Sequence, residues 1–142
     1  MTEERPPWRP HCANMCAFDR ECVESNEAYV RIAERMKRIA RGSLPIENIS
    51  DFVSIKENKA WLEFELRGRA IRVDCRVKND WVDPALFGWF TQLLEECDGQ
   101  KTFLYFNSIG QTCVLGCAKE EEFEALKRAG ISVEKLTATS LR

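Results

Sequence analysis

Four residues with an affinity for soft metals fall within twelve positions near the start of the sequence: His11, Cys12, Cys16 and Cys22. Tetrahedral zinc takes such donors, most often through a pair of cysteines two residues apart that grips the ion from a single turn. That pair is missing, and adjacent His11 and Cys12 are poorly placed to reach one ion together. The inventory makes these four the candidate metal ligands; their spacing argues against the site, and the expectation is no metal and no cofactor. There are seven cysteines, an odd number that cannot close into pairs within one chain. The opening Met1-Thr2-Glu3-Glu4-Arg5-Pro6-Pro7 lacks an apolar export signal, so reduced thiols and a cytoplasmic location are expected.

Nucleophilic catalysis needs a base beside the nucleophile, and His11 is the only histidine. Its neighbour Cys12 adjoins it along the chain, where side chains rarely meet in a reactive geometry. Cys113 and Cys117 sit four apart in an apolar run, on one face of a strand and too distant for a disulfide along it. Both read as packing residues, and Cys75 and Cys97 likewise fall on inward positions. Carboxylate pairs leave no signature beyond their presence, and Glu63, Glu65, Asp80 and Asp83 supply the material. Asp83 before Pro84 is the type of residue that caps a helix, and the two glutamates alternate with apolar residues as the wet side of a strand. The seven glycines are dispersed, with no phosphate-binding loop. No catalytic constellation emerges, and the chain is expected not to be an enzyme.

The elements that would hold these residues are readable from periodicity. Tyr29, Ile32, Ala33, Met36, Ile39 and Ala40 recur at helical spacing before Gly42. Between Ile49 and Val77 the pattern changes to alternation: Val53 with Ile55, then Leu62, Phe64 and Leu66, then Ile71, Val73, Cys75 and Val77. Turns at Glu57-Asn58-Lys59 and Arg67-Gly68-Arg69 make this a three-strand antiparallel meander. A second helix follows Asp83-Pro84 with Leu86, Phe90, Leu93, Leu94 and Cys97 inward, ending at Gly99. Strands at 102–106 and 112–118 flank a hairpin loop, and a last helix runs from Lys119 to Ala129. Ile131, Val133 and Leu136 offer a short edge strand.

The expected fold is therefore α+β: an antiparallel five-stranded sheet, made of the meander plus the hairpin, with helices packed on one face in the order α-βββ-α-ββ-α. Residues 1–23, with Pro6, Pro7 and Pro10, read as an arm ordered only where Trp8 or Phe18 finds a pocket, and residues 24–142 as a single domain. A net charge of -2 and an isoelectric point near 5.6 give no general attraction to nucleic acid or anionic membranes. Arginine and lysine clusters at Arg35, Lys37, Arg38 and Arg41, and at Arg67, Arg69 and Arg72, read as solvated faces. No stretch reaches the length of a membrane span.

What remains is Lys78-Asn79-Asp80-Trp81-Val82-Asp83-Pro84, where a strand ends, an indole sits between two acids and a helix begins. Asp80, Trp81 and Asp83 are the candidate partner-binding residues: an aromatic anchor with acids to steer a basic partner. This segment, placed after paired strands, together with a Gly110-Gln111 loop feeding another strand, resembles small bacterial immunity proteins of toxin systems across residues 50–136. The resemblance implies a protein-binding inhibitor of a cognate toxin, without chemistry of its own. Two other readings stay open: a small-ligand binder or enzyme whose carboxylates and thiols converge in a cleft, and a metal-binding regulator built on the Cys12–Cys22 segment.

Overall fold

The computed structural model describes residues 15–19, 22–106 and 112–137. Along the chain run β1 (Met15–Asp19), α1 (Ala28–Ala40), β2 (Ile46–Ser54), β3 (Lys59–Leu66), β4 (Arg69–Cys75), α2 (Ala85–Cys97), β5 (Lys101–Phe106), β6 (Thr112–Lys119), α3 (Glu120–Arg128) and β7 (Val133–Lys135). The class is α+β, as the periodicities require. The single five-stranded sheet is not formed: the strands divide into two antiparallel sheets, β2-β3-β4 and β1-β6-β5-β7.

The division follows from α2. After β4 the chain turns into this helix, whose apolar side packs on β4 and on β5, so the helix stands between meander and hairpin. α1 does the same at the other side, packing on β2 and β3 while reaching β1 and β6. The two helices thus form a middle layer with a sheet on either side, and the inner faces of both sheets share one core with them. The expectation of helices on one face fails for a second reason. α3 covers the opposite face of the four-stranded sheet, over a separate core of Leu104, Phe106, Ala118, Phe123, Leu126 and Val133.

The segment read as an arm supplies β1, which pairs with β6 from Met15↔Gly116 to Asp19↔Thr112. Phe18 does find a pocket: it is buried, and its ring stacks on Phe87 at 5.9 Å. Trp8, His11 and Cys12 lie outside the described residues, as does the hairpin loop with Gly110 and Gln111. β7 adds the edge strand beside β5.

Within the meander, Ala60, Leu62, Phe64 and Leu66 of β3 turn inward, with Phe64 stacked on Phe90 of α2 at 6.2 Å. The second turn is the tight kind that the sequence foresees. Arg67 and Gly68 take φ of 53° and 80°, and Leu66 pairs with Arg69 across it; that twist matches the twist of the strands it joins. Ile55 departs from expectation. β2 stops at Ser54, and Ile55 enters the turn 40% exposed.

α1 has no acid in its first turn and no capping side chain of its own. Its cap comes from β2, where the Asp51 carboxylate accepts the amides of Glu27 at 2.7 Å, Tyr29 at 2.8 Å and Val30 at 3.1 Å. A carboxylate there satisfies amides that the helix cannot bond internally and opposes the positive end of its dipole. Glu27 takes a left-handed φ of 78° to deliver the chain into this bond.

Candidate functional site

The two sheets differ in what they leave to solvent. In β5, Phe103, Leu104, Tyr105 and Phe106 are all buried, and in β6 so are Cys113, Leu115, Cys117 and Ala118. Both faces of the β5–β6 centre of the four-stranded sheet are sealed, while the edge strands β1 and β7 keep exposed residues. Among the described residues no helix covers the outer face of the meander, and its side chains sit in register rows across the strands.

One row is Phe52↔Trp61↔Asp74, the next Ser50↔Glu63↔Arg72, and beyond a bulge between Glu47 and Ser50 comes Glu47↔Glu65↔Ala70. The Phe52 and Trp61 rings stack at 4.5 Å, nearly parallel. The guanidinium of Arg72 lies over the Trp61 ring at 4.0 Å, held from the sides by Asp74 at 3.0 Å and Glu63 at 3.7 Å. Aromatic, cation and acids therefore form one preorganised ladder along the outer face of the meander, with Phe52 and Trp61 half-buried in it. Counting outward charges, Glu47, Glu63, Glu65 and Asp74 stand against Lys59 and Arg72, so the face is acidic around its rings. Asn48, in the bulge, donates to Glu65 at 3.0 Å. The period-two alternation of β3 signalled this face; the pairing of Phe52 with Trp61 depended on a cross-strand register that the sequence left open.

The segment from Asp80 to Asp83 is shaped by a turn. Asn79 adopts a φ of 51°, the Trp81 amide donates to the Lys78 carbonyl at 3.1 Å, and the Asp80 carbonyl accepts the Val23 amide at 2.8 Å. Trp81 is 38% exposed. Asp83 is occupied internally: its carboxylate accepts the amides of Arg76 at 2.6 Å and Ala85 at 3.0 Å, joining the end of β4 to the start of α2. Its own amide donates to the Tyr29 hydroxyl at 3.0 Å. The three residues are brought together, with the indole as their solvent-facing member and Asp83 serving the fold. Trp89, on the outer side of α2, is a further exposed aromatic at 46%, which core-stripe reasoning passed over.

The thiols are placed for packing. Cys16 is buried beneath α1 and its thiol is pushed up to about 11 by that burial, against the pull of Arg38 and Arg35. Cys75 lies beside the buried Tyr29 hydroxyl and is pushed up to about 12, by burial first and then by the negative charge of Asp83. Cys22, half-buried, is raised as well. A thiol held protonated is a poor nucleophile and a poor metal ligand. Among the described residues no group of three His, Cys, Asp or Glu side chains is arranged to hold a metal ion.

A polar groove of about 770 Å³ opens where β5, β6 and β7 meet the start of α3. Two of its lysines are already engaged, Lys135 with Glu120 at 3.0 Å and Lys101 with the Ala40 carbonyl at 3.2 Å. Asp98, near its rim, is held below the usual carboxylate range by hydrogen bonds from Ser43 and the Gln100 amide. Among the described residues no helix is long and apolar enough to cross a membrane. No protein-family model matches the chain, and neither a curated protein nor a solved structure matches it.

Proposed function

We propose that this chain is a cytoplasmic protein-binding module, an immunity-type inhibitor, that presents the outer face of β2-β3-β4 to a basic toxin domain. The observation that carries the reading is the Phe52–Trp61–Arg72 ladder, ringed by Glu47, Glu63, Glu65 and Asp74 on a sheet face over which, among the described residues, no helix packs. Aromatic and arginine side chains fixed in place lose little freedom on binding and supply most of the energy of an interface, while surrounding acids speed encounter with a cation-rich surface. Trp81 supplies a second aromatic contact. Buried, protonated thiols and an Asp83 carboxylate committed to backbone amides favour this over an enzyme built on the same residues.

The test is growth rescue of cells expressing basic toxin domains encoded beside this gene. Rescue by the wild-type chain is expected, with loss of rescue in Phe52→Ala/Trp61→Ala protein that still melts as a folded domain. Full rescue by the folded double variant removes the sheet face from the reading, and failure of every neighbouring toxin to respond removes the inhibitor.

A further inference from the structure

The exposed side of α1 is predominantly positive. Arg31, Arg35 and Arg38 stand at i, i+4 and i+7, which places them on one stripe spanning about 10 Å of helix. Together with Glu34 they line a single shallow concavity of about 300 Å³. Like charges three and four residues apart repel and weaken a helix. Glu34, three residues after Arg31 and four before Arg38, offsets part of that repulsion. Among the described residues none of the three guanidiniums forms an ion pair. Arg35 is nonetheless anchored, with its guanidinium over the Phe18 ring at 5.8 Å, so β1 fixes its position in advance. The field of the stripe reaches the fold beneath, where Arg35 opposes the upward push of burial on both Cys16 and Cys22.

We propose that Arg31, Arg35 and Arg38 form a binding site for a phosphoryl dianion, the phosphate of a phosphomonoester. Arginine presents a planar fork of donors that matches phosphate oxygens two at a time, and three such forks around one concavity suit a compact doubly charged group. A diester strand fits less well. Each diester phosphate carries only one charge, and a chain of net charge -2 lacks the long-range field with which polyanion binders collect their ligand. The concavity opens to solvent, so the phosphate can enter as a free ion or on a larger molecule.

The experiment is a titration of the full ¹⁵N-labelled chain with inorganic phosphate, a phosphoserine peptide and a single-stranded DNA oligonucleotide, reading the arginine Nε–H resonances. Saturable shifts at Arg31, Arg35 and Arg38 are expected with both monoester-type probes. Binding of the phosphoserine peptide tightens from pH 5 to pH 7, as its phosphate gains its second charge near a pKa of about 6, and sulfate shows no such dependence. Arg38→Gln, at an exposed position, weakens binding by about tenfold, and Arg35→Gln does the same if it folds. Tighter binding of the peptide assigns the site to a protein-borne phosphate and equal binding to a free one. Shifts that do not saturate, affinity unchanged in Arg38→Gln, or DNA bound more tightly than either monoester overturn the proposal.

Discussion

The two sheets of this protein bury their strands differently: the β5–β6 centre of one is sealed on both faces, whereas the meander is sealed on one. β5 reads Phe103-Leu104-Tyr105-Phe106 without a break, whereas β3 reads Leu62-Glu63-Phe64-Glu65-Leu66. A strand that is apolar at every position needs cover above and below, and an alternating strand needs it on one side. The fold supplies this cover with three helices. α1 and α2 fill the space between the sheets, α3 closes the far face of β5-β6, and the outer side of the meander keeps water. Among the described residues, the meander keeps a sheet face with a stacked aromatic pair and fixed charges over which no helix packs.

Substitutions on the two sheets should break or sharpen this contrast, starting with the most severe. Leu104→Asp puts a charge on the α3 side of the sealed sheet and is expected to prevent folding, while Ser50→Asp on the meander's outer face shifts stability by no more than about 0.5 kcal/mol. Circular dichroism and urea melts separate the two. Phe103→Ala, in the shared core, costs about 3–5 kcal/mol by the same melts. Asp51→Ala removes the carboxylate that caps α1 from β2 and costs about 2 kcal/mol. Asp51→Asn, which keeps an acceptor, recovers part of the loss.

Trp61→Ala is expected to cost under about 1 kcal/mol of stability, since the ring rests on an open face, yet to weaken partner binding by tenfold or more. A loss of several kcal/mol at Trp61 makes the ladder a structural element instead. The smallest effect concerns the thiols. Cys16 and Cys75 are raised in the folded state, so the unfolded chain loses these protons first as pH climbs. The stabilisation is complete below the ordinary thiol value of 9.0 and is lost progressively toward about 11 for Cys16 and about 12 for Cys75. At pH 9 this amounts to about 0.4 kcal/mol per thiol, readable as a fall in the urea midpoint that Cys16→Ala or Cys75→Ala diminishes.

Much of the fold was legible because local patterns decide local structure. The stripe of Tyr29 to Ala40 gave α1, the alternation of β3 and β4 gave a half-buried meander, and Arg67-Gly68 gave the turn between them. The division into two sheets was not read, although its signal was present: the unbroken apolar run of β5 calls for cover on both faces, which a single sheet with helices on one side cannot provide. β1 was missed because Met15–Asp19 is short and gains its stability from pairing with β6, about a hundred residues away. The candidate site was half legible. Outward Glu63 and Glu65 were identified, but Phe52 and Trp61 meet only through strand register, and Asp83 reads the same in sequence whether its carboxylate serves a partner or the backbone.

The contrast between the sheets is tested most directly by oxidative footprinting of the free protein with peptide-level mass spectrometry. Phe52, Trp61 and Trp81 should be modified rapidly, while Phe103, Leu104 and Phe106 stay protected until the domain is unfolded. Protection of Phe52 and Trp61 equal to that of Phe103, or modification of Leu104 and Phe106 as fast as Trp61, contradicts a domain with one open sheet face.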